Sequence, residues 1–453
     1  MVSSSASQKA LPGPHHEQCA LVLQGGGALG AYQAGVYEAL EENGICPEWV
    51  AGVSIGAINA AIIAGNPPPL RVPRLRDFWN GVSSQLVAPA PSAQWGLQAR
   101  EFFNESSAAM VSVLGAPGFF QPRVPAAPYQ TQGTLAALGI YDTEPLRATL
   151  HRLVDFDRIN RNCPDGNVRL SVGAVNVTTG NFAYFDSADR LHRKPLGPQH
   201  IMASGALPPG FSPVEVEGAF YWDGGLVSNT PLQYVIDQPA AEDMLVFQVD
   251  LFSAQGPMPR NLSEVAERAK DIQFASRTRF NTDQVAMQQK LSNAAQKLAA
   301  KLPPEFANDP DLKQLLNAGS AAAVTIVHLI HRSKHFATQS KDYEFSRASV
   351  REHWAAGRVD VERSLADPRW LNRKRPAAGV NVLDLTKPRE ALSRPGLDAG
   401  AGEARRSNAA AGRLRQPWVV VQPVVWGPFR PRIQPTTQHC TEPPRRCAAR
   451  GIS

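Results

Sequence analysis

The chain has 453 residues, 43% hydrophobic and 19% charged, an ordinary globular composition long enough for one large domain with additions or for two domains. No apolar run approaches the roughly 20 residues of a membrane-spanning helix, and the N-terminal stretch lacks the apolar core of a secretory signal. The net charge of +6 is uneven: residues 371–453 hold 15 Lys/Arg against 5 Asp/Glu, which leaves the rest of the chain at −4.

That basic tail has no interleaved aromatic platform, so no nucleic-acid partner is expected. The five cysteines (Cys19, Cys46, Cys163, Cys440 and Cys447) show no paired metal spacing and fit a reducing compartment. The expectation is a cytoplasmic protein with an unstructured leader over 1–16.

Residues 17–66 alternate strand, turn and helix. "CALVLQ" predicts a buried strand, and Leu29, Tyr32, Val36, Ala39 and Leu40 then recur at helical spacing up to the stop signal Asn43-Gly44. "WVAGVS" predicts a second strand and "IGAINAAIIAGN" a second helix, ending before Pro67-Pro68-Pro69. Two successive units of this kind predict a parallel sheet with helices packed on it.

Residues 81–140, rich in Pro, Gly, Ser and Gln, break the rhythm. They are either a lid or acyl-binding insertion or an irregular segment over the core. Next, Asp142 or Thr143 is placed to cap a helix through about Leu153, with Pro145 in its first turn. "VRLSVGAVNVTTGNFAYFDS" predicts two strands joined by a turn, and "AEDMLVFQVDLF" another strand. Thr230 is expected to cap a helix beginning at Pro231. A long helix is expected over 262–300, a strand at "AAAVTIVHLIHR", and an unstructured basic tail over 376–453, where "WVVVQPVVW" is interrupted by Pro423.

Three short motifs carry chemistry. Gly25, Gly27 and Gly30 fit G-x-G-x-x-G between a strand and a helix, a turn that binds phosphate through backbone amides. A dinucleotide site also needs an acid at the end of the next strand, and Glu48 instead precedes that strand. Gly52-Val53-Ser54-Ile55-Gly56 fits G-x-S-x-G, the sharp strand-to-helix turn that presents a nucleophile; alone, it is also compatible with a serine in an ordinary glycine turn. Asp223-Gly224-Gly225 follows an aromatic strand, and its carboxylate is either a cleft residue or a common turn aspartate.

Together, "GGGALG", "GVSIG" and "DGG" in this order and separation resemble the patatin-like phospholipase family, over roughly residues 17–300. The resemblance implies a three-layer α/β/α sandwich with a mainly parallel central sheet. It implies a serine lipid acyl hydrolase with Ser54 as nucleophile, Asp223 as proton acceptor and no histidine, metal or cofactor. The oxyanion hole would be drawn from Gly25, Gly26, Gly27, Ala28, Leu29 and Gly30, chiefly the amides of Gly26 and Gly27. The substrate would be a lipid or other acyl ester, met through peripheral contact with a lipid surface. Leu29 departs from the pattern, because many members carry Arg or Lys there; an acyl ester in general is therefore better supported than a phospholipid.

"SKDYEFSRASVREHWAAGRVD" is similar to the C-terminal extension of a bacterial intracellular subgroup of the family. Over 301–375 this extension, with Asp342, Arg347, His353 and Trp354, is expected to pack on the main domain. Two alternatives stay open. A conventional α/β-hydrolase would recruit one of His328, His331, His335 or His353 to a triad, and a non-catalytic scaffold would use neither Ser54 nor Asp223.

Overall fold

The strand Glu17–Leu23 lies in the middle of a large sheet, which is why its residues 19–23 read as continuously apolar instead of alternating. The computed structural model describes residues 17–385 except 92–95, 162–167, 190–194, 239–242, 277–282, 284–286, 288–289, 292–293, 304–308, 318–321, 333–339 and 377–378. All of them lie in the first of two compact units, 1–390; the expected leader and "WVVVQPVVW" fall outside the described residues.

The first half of the chain runs β1 (Glu17–Leu23), α1 (Ala31–Glu42), β2 (Trp49–Val53), α2 (Ile55–Ala64), α3 (Pro68–Val82), α4 (Gly96–Leu114), β3 (Gln121–Pro122), β4 (Tyr141–Asp142), α5 (Glu144–Leu153) and α6 (Phe156–Asn160). There follow β5 (Arg169–Asn176), β6 (Phe182–Asp186), α7 (Pro198–Ser204), β7 (Val214–Val216), β8 (Ala219–Asp223), α8 (Leu232–Asp237), β9 (Asp243–Asp250) and α9 (Leu262–Phe274). The chain continues through α10 (Pro310–Asn317), β10 (Val324–Ile330), α11 (Arg347–Ala366), α12 (Pro368–Leu371) and β11 (Val380–Asp384).

The sheet has the order β11-β10-β9-β1-β2-β5-β8-β7, with β6 also paired to β5. The strands from β11 to β5 are parallel, and β6, β7 and β8 are antiparallel additions. Successive strand residues point to opposite faces. Leu21, Leu23, Val50, Leu245 and Phe247 accordingly join the core that includes α1, α2 and α3, whereas Ala20, Val22, Ala51 and Val246 face α8 through Leu232 and Val235. Helices cover both faces, as the expected sandwich requires.

The extension docks as a helix on a helix. Gly35 of α1 and Gly357 of α11 let the two backbones touch, since an added Cβ would lie 1.9 Å from the Trp354 carbonyl oxygen or 2.1 Å from that of Tyr32. Glu38 of α1 accepts a bond from Trp354 Nε1 (2.6 Å) and pairs with Arg358 (2.8 Å) and Arg76. Burial opposes its charge, but these three donors outweigh it and hold its carboxyl below the ordinary range. Arg347 reaches Ser83 Oγ at 2.7 Å and the Asn80 carbonyl at 2.6 Å. Arg347 and Trp354 of the extension thus bond to the C-terminal end of α3 and to α1.

Several expectations are corrected. The stretch 81–140 is not simply irregular: it contains the 19-residue α4 and the β3–β4 pair. The helix expected over 262–300 is interrupted: α9 ends at Phe274, whose carbonyl is taken by the side-chain amides of Gln24 (3.0 Å) and Asn229 (3.1 Å), while Ser276 donates to Asp250, and helix is present again over 294–299. Such carbonyls have no partner within a helix end and are open to outside donors. Thr230 does not cap α8; its hydroxyl accepts from Gln24 Nε2 (2.9 Å) and Pro231 stands at the cap. Finally, β11 falls inside the expected tail: Val380–Asp384 pairs with β10 and extends the sheet.

Candidate active site

Parallel neighbours end at the same edge of a sheet, so β1 and β2 deliver the glycine turn and Ser54 side by side. Ser54 sits between β2 and α2 with φ 56° and ψ −125°, one of two non-glycine residues at positive φ among the described residues. This is a strained conformation held by its surroundings. Gly52 and Gly56 make the turn possible: a Cβ on Gly52 would lie 2.3 Å from the Gly56 carbonyl oxygen, and one on Gly56 2.4 Å from that of Leu23. The Ser54 N–H donates to Ser204 Oγ (2.9 Å), whose hydroxyl donates to the Gly173 carbonyl (2.6 Å), tying the turn to β5.

Register brings Asp223 to the serine. Val53 pairs with Gly173 on β5, and the next residue, Ala174, pairs with Asp223 at the end of antiparallel β8. Gly224 allows the chain to leave β8 against the Gly173 carbonyl, 2.7 Å from where its Cβ would stand. Asp223 is 2% exposed, accepts the Gly225 N–H at 2.7 Å and lies beside the Ser54 hydroxyl, which favours its charged form. Burial drives its pKa up from 3.8 to about 6, against the opposing pull of Ser54 and the Gly225 bond.

The glycine turn divides its amides. Gly25 N–H donates to the Asn229 carbonyl (3.1 Å), Ala28 N–H to the Asp342 carbonyl (2.7 Å) and Leu29 N–H to Gly26 (3.2 Å). The amides of Gly26 and Gly27 have no partner among the described residues, and both glycines line the same cavity as Ser54 and Asp223. Ala28, Leu29 and Gly30 are buried beneath the turn, and Leu29 packs in the core. Of the six residues expected at the oxyanion hole, Gly26 and Gly27 therefore present open amides. Of the flanking motifs, Ile55 and Gly225 also line the cavity, while Val53 belongs to the core under it.

The cavity measures about 420 Å³ and its walls are largely apolar, with aromatic rings from several separate segments. Phe119 and Phe120 come from the 81–140 insertion, Phe211 from the segment after α7, Phe252 from the segment after β9, Phe274 from the last residue of α9, and Phe345 from the extension. Ring pairs join them: Phe119 meets Phe345 edge-on at 5.9 Å and Phe120 meets Phe211 at 5.3 Å. Asp223 and Asp342 are the charged residues of its described lining.

No histidine lines this cavity among the described residues. His328 pairs with Asp250 at 2.5 Å, and His331 bonds His353 at 3.0 Å beside the Tyr32 ring; His335 lies outside the described residues. Among the described residues no cluster of His, Cys, Asp and Glu has the arrangement of a metal site, and no helix is long and apolar enough to cross a membrane.

Four residues at this site escape a motif search. Gln24 is fully buried; its Oε1 accepts the N–H groups of Leu251 (2.6 Å) and Phe252 (2.9 Å), and its carbonyl accepts Gln33 Nε2. Asn229 clasps Gly25 from both sides, also donating to its carbonyl at 3.0 Å. Ser204 steadies the serine turn, and Asp342 arrives from the extension. A polar Gln closing an apolar strand is the one local sign of this group.

Residues 21–236 match the family described as patatin-like phospholipase, and residues 272–377 match DUF3734, described as patatin phospholipase. A patatin-like phospholipase domain-containing protein of Caenorhabditis elegans is 45% identical over 65 residues, which are 14% of this chain and 5% of that protein. The match thus spans about a twentieth of that relative. Among solved structures, VipD from Legionella pneumophila is similar at 16% identity and a TM-score of 0.31, over 77% of this chain and 67% of that one. Human GIVD cytosolic phospholipase A2 is similar at 13% identity and a TM-score of 0.28, over 52% and 43%. With both segments matched in order, the chain belongs to the patatin-like phospholipase family and carries a C-terminal DUF3734 extension.

Proposed function

We propose that this protein is a serine lipid acyl hydrolase that cleaves carboxylic esters through a Ser54–Asp223 dyad. The observation that carries this reading is one arrangement: a serine on a strained turn, sharing a cavity with a buried carboxylate and two open backbone amides. Asp223 accepts the Ser54 proton as Oγ attacks the ester carbonyl carbon. The carbonyl oxygen takes up the electron pair and faces the Gly26 and Gly27 amides, fixed dipoles that stabilise such charge without reorganising. When the tetrahedral species collapses, the carbon–oxygen bond to the alcohol breaks and Asp223 returns its proton to that alcohol. A water deprotonated by Asp223 then releases the acid from Ser54 by the reverse sequence.

A carboxylate of ordinary pKa is a poor base at neutral pH. The burial that lifts Asp223 to about 6 gives it useful basicity while leaving it ionised at pH 7. The aromatic walls suit an alkyl chain, and the fatty acyl part of a lipid is the ligand they fit best. The test is labelling with a fluorophosphonate, paired with an ester panel of graded chain length and headgroup. The expected result is one adduct, on Ser54, and hydrolysis that is lost in Ser54→Ala. Hydrolysis at the wild-type rate in folded Ser54→Ala refutes the assignment.

A further inference from the structure

We propose that the segment Ser340–Phe345 of the C-terminal extension is a strap that sets the glycine turn in its anion-binding shape, with Lys341 as the positioning residue that holds it. The inference rests on the hydrolase reading for its catalytic consequence, though not for its geometry.

The contact is close and directional. The Asp342 carbonyl accepts the Ala28 N–H at 2.7 Å, and its oxygen lies 2.0 Å from where a Gly27 Cβ would be. Gly27 itself stands at φ 54°. The strap therefore occupies the space that only a glycine leaves at that position, and it engages the amide next to the two open ones. Pulling Ala28 N–H outward to Asp342 leaves Gly26 and Gly27 directed at the cavity.

The strap is pinned from two sides. Lys341 is 5% exposed and pairs with Glu267 at 2.9 Å and Asp271 at 2.6 Å, both on α9. Asp342 Oδ1 pairs with Lys270 at 2.5 Å on the same helix. On the other side, Glu344 accepts the Ser107 hydroxyl of α4 at 2.5 Å. Removing one partner of a buried pair leaves the other charge stranded, so Lys341 is the pin whose loss displaces the strap most. Displacing an oxyanion donor slows the chemical step rather than binding, because that contact tightens in the transition state.

The experiment uses the full-length protein with Lys341→Met and Lys341→Arg, read by amide exchange over residues 24–31 and by steady-state kinetics. Lys341→Met is expected to raise exchange in that peptide about tenfold or more and to lower kcat roughly tenfold to hundredfold, with KM within about threefold. Lys341→Arg restores most of both. Wild-type exchange and wild-type kcat in a folded Lys341→Met overturn the strap, even if its melting temperature falls. If that variant does not fold, Lys270→Met, which removes the Asp342 pair, decides by the same two readouts with a smaller expected change. Were the wild type to hydrolyse no ester, the hydrolase reading would fail, and exchange at 24–31 would still decide whether the strap holds the turn.

Discussion

The two halves of the site are held by different means. The serine turn is local: two glycines of its own motif clear the space, and Ser204 and the register of β2, β5 and β8 supply the rest. The glycine turn is held from a distance, by Asn229, by Asp342 and by Gln24 working through the segment after β9 and the end of α9. A nucleophile can be positioned by strain in one short segment. An anion site built from backbone amides needs its unused amides engaged elsewhere, and those partners come from wherever the fold brings them.

That contrast breaks most sharply at the proposed dyad. Ser54→Ala is expected to lower ester hydrolysis by at least ~10³-fold with little change in melting temperature, checked on the ester panel. Asp223→Asn should lower kcat by a comparable factor yet stabilise the fold at pH 7. The native carboxyl binds a proton more tightly than the unfolded one, so stability falls as pH rises from 3.8 to about 6. The buried charge therefore costs up to roughly 3 kcal/mol at neutral pH, which the amide abolishes; a denaturant midpoint at pH 7 and pH 4 measures it. The same ionisation predicts that kcat/KM drops about tenfold per pH unit below about 6.

On the other half, Gln24→Ala should hurt stability and rate together. It strands the buried amides of Leu251 and Phe252 and frees Phe274, costing about 2–3 kcal/mol and slowing kcat about tenfold. A rate loss without destabilisation would mean that Gln24 acts on the turn alone. The smallest effect belongs to the α1–α11 contact: Trp354→Phe removes the bond to Glu38 and should cost about 1–2 kcal/mol while kcat is unchanged. A fall in kcat there would show that the whole extension, rather than its strap, governs the site.

The same contrast explains what was legible beforehand. "GVSIG" and "DGG" could be read because their glycines stand at fixed offsets from the residue each turn presents, and the strands β1, β2 and β9 followed from apolar runs buried on both faces. Asp342 could not be read as a site residue, because its part is played by a backbone carbonyl that any residue carries. Asn229 and Ser204 work through side chains whose partners lie far away in sequence. The helix α4 was hidden by its Pro- and Gly-rich flanks, and β11 by the basic composition around it, since an edge strand gains its register from β10 rather than from its own pattern.

The position of the strap in the chain has a consequence for biosynthesis. Ser54 and Asp223 are made within the first half of the 453 residues, whereas Asp342 follows after roughly three-quarters of them. Chains fold from the N-terminus as they are made. On the strap's reading, a half-made chain carries the nucleophile and its base without a set oxyanion turn. The proposed ester hydrolysis would then switch on late, after the extension has docked, and a prematurely terminated product would carry the serine without a set turn.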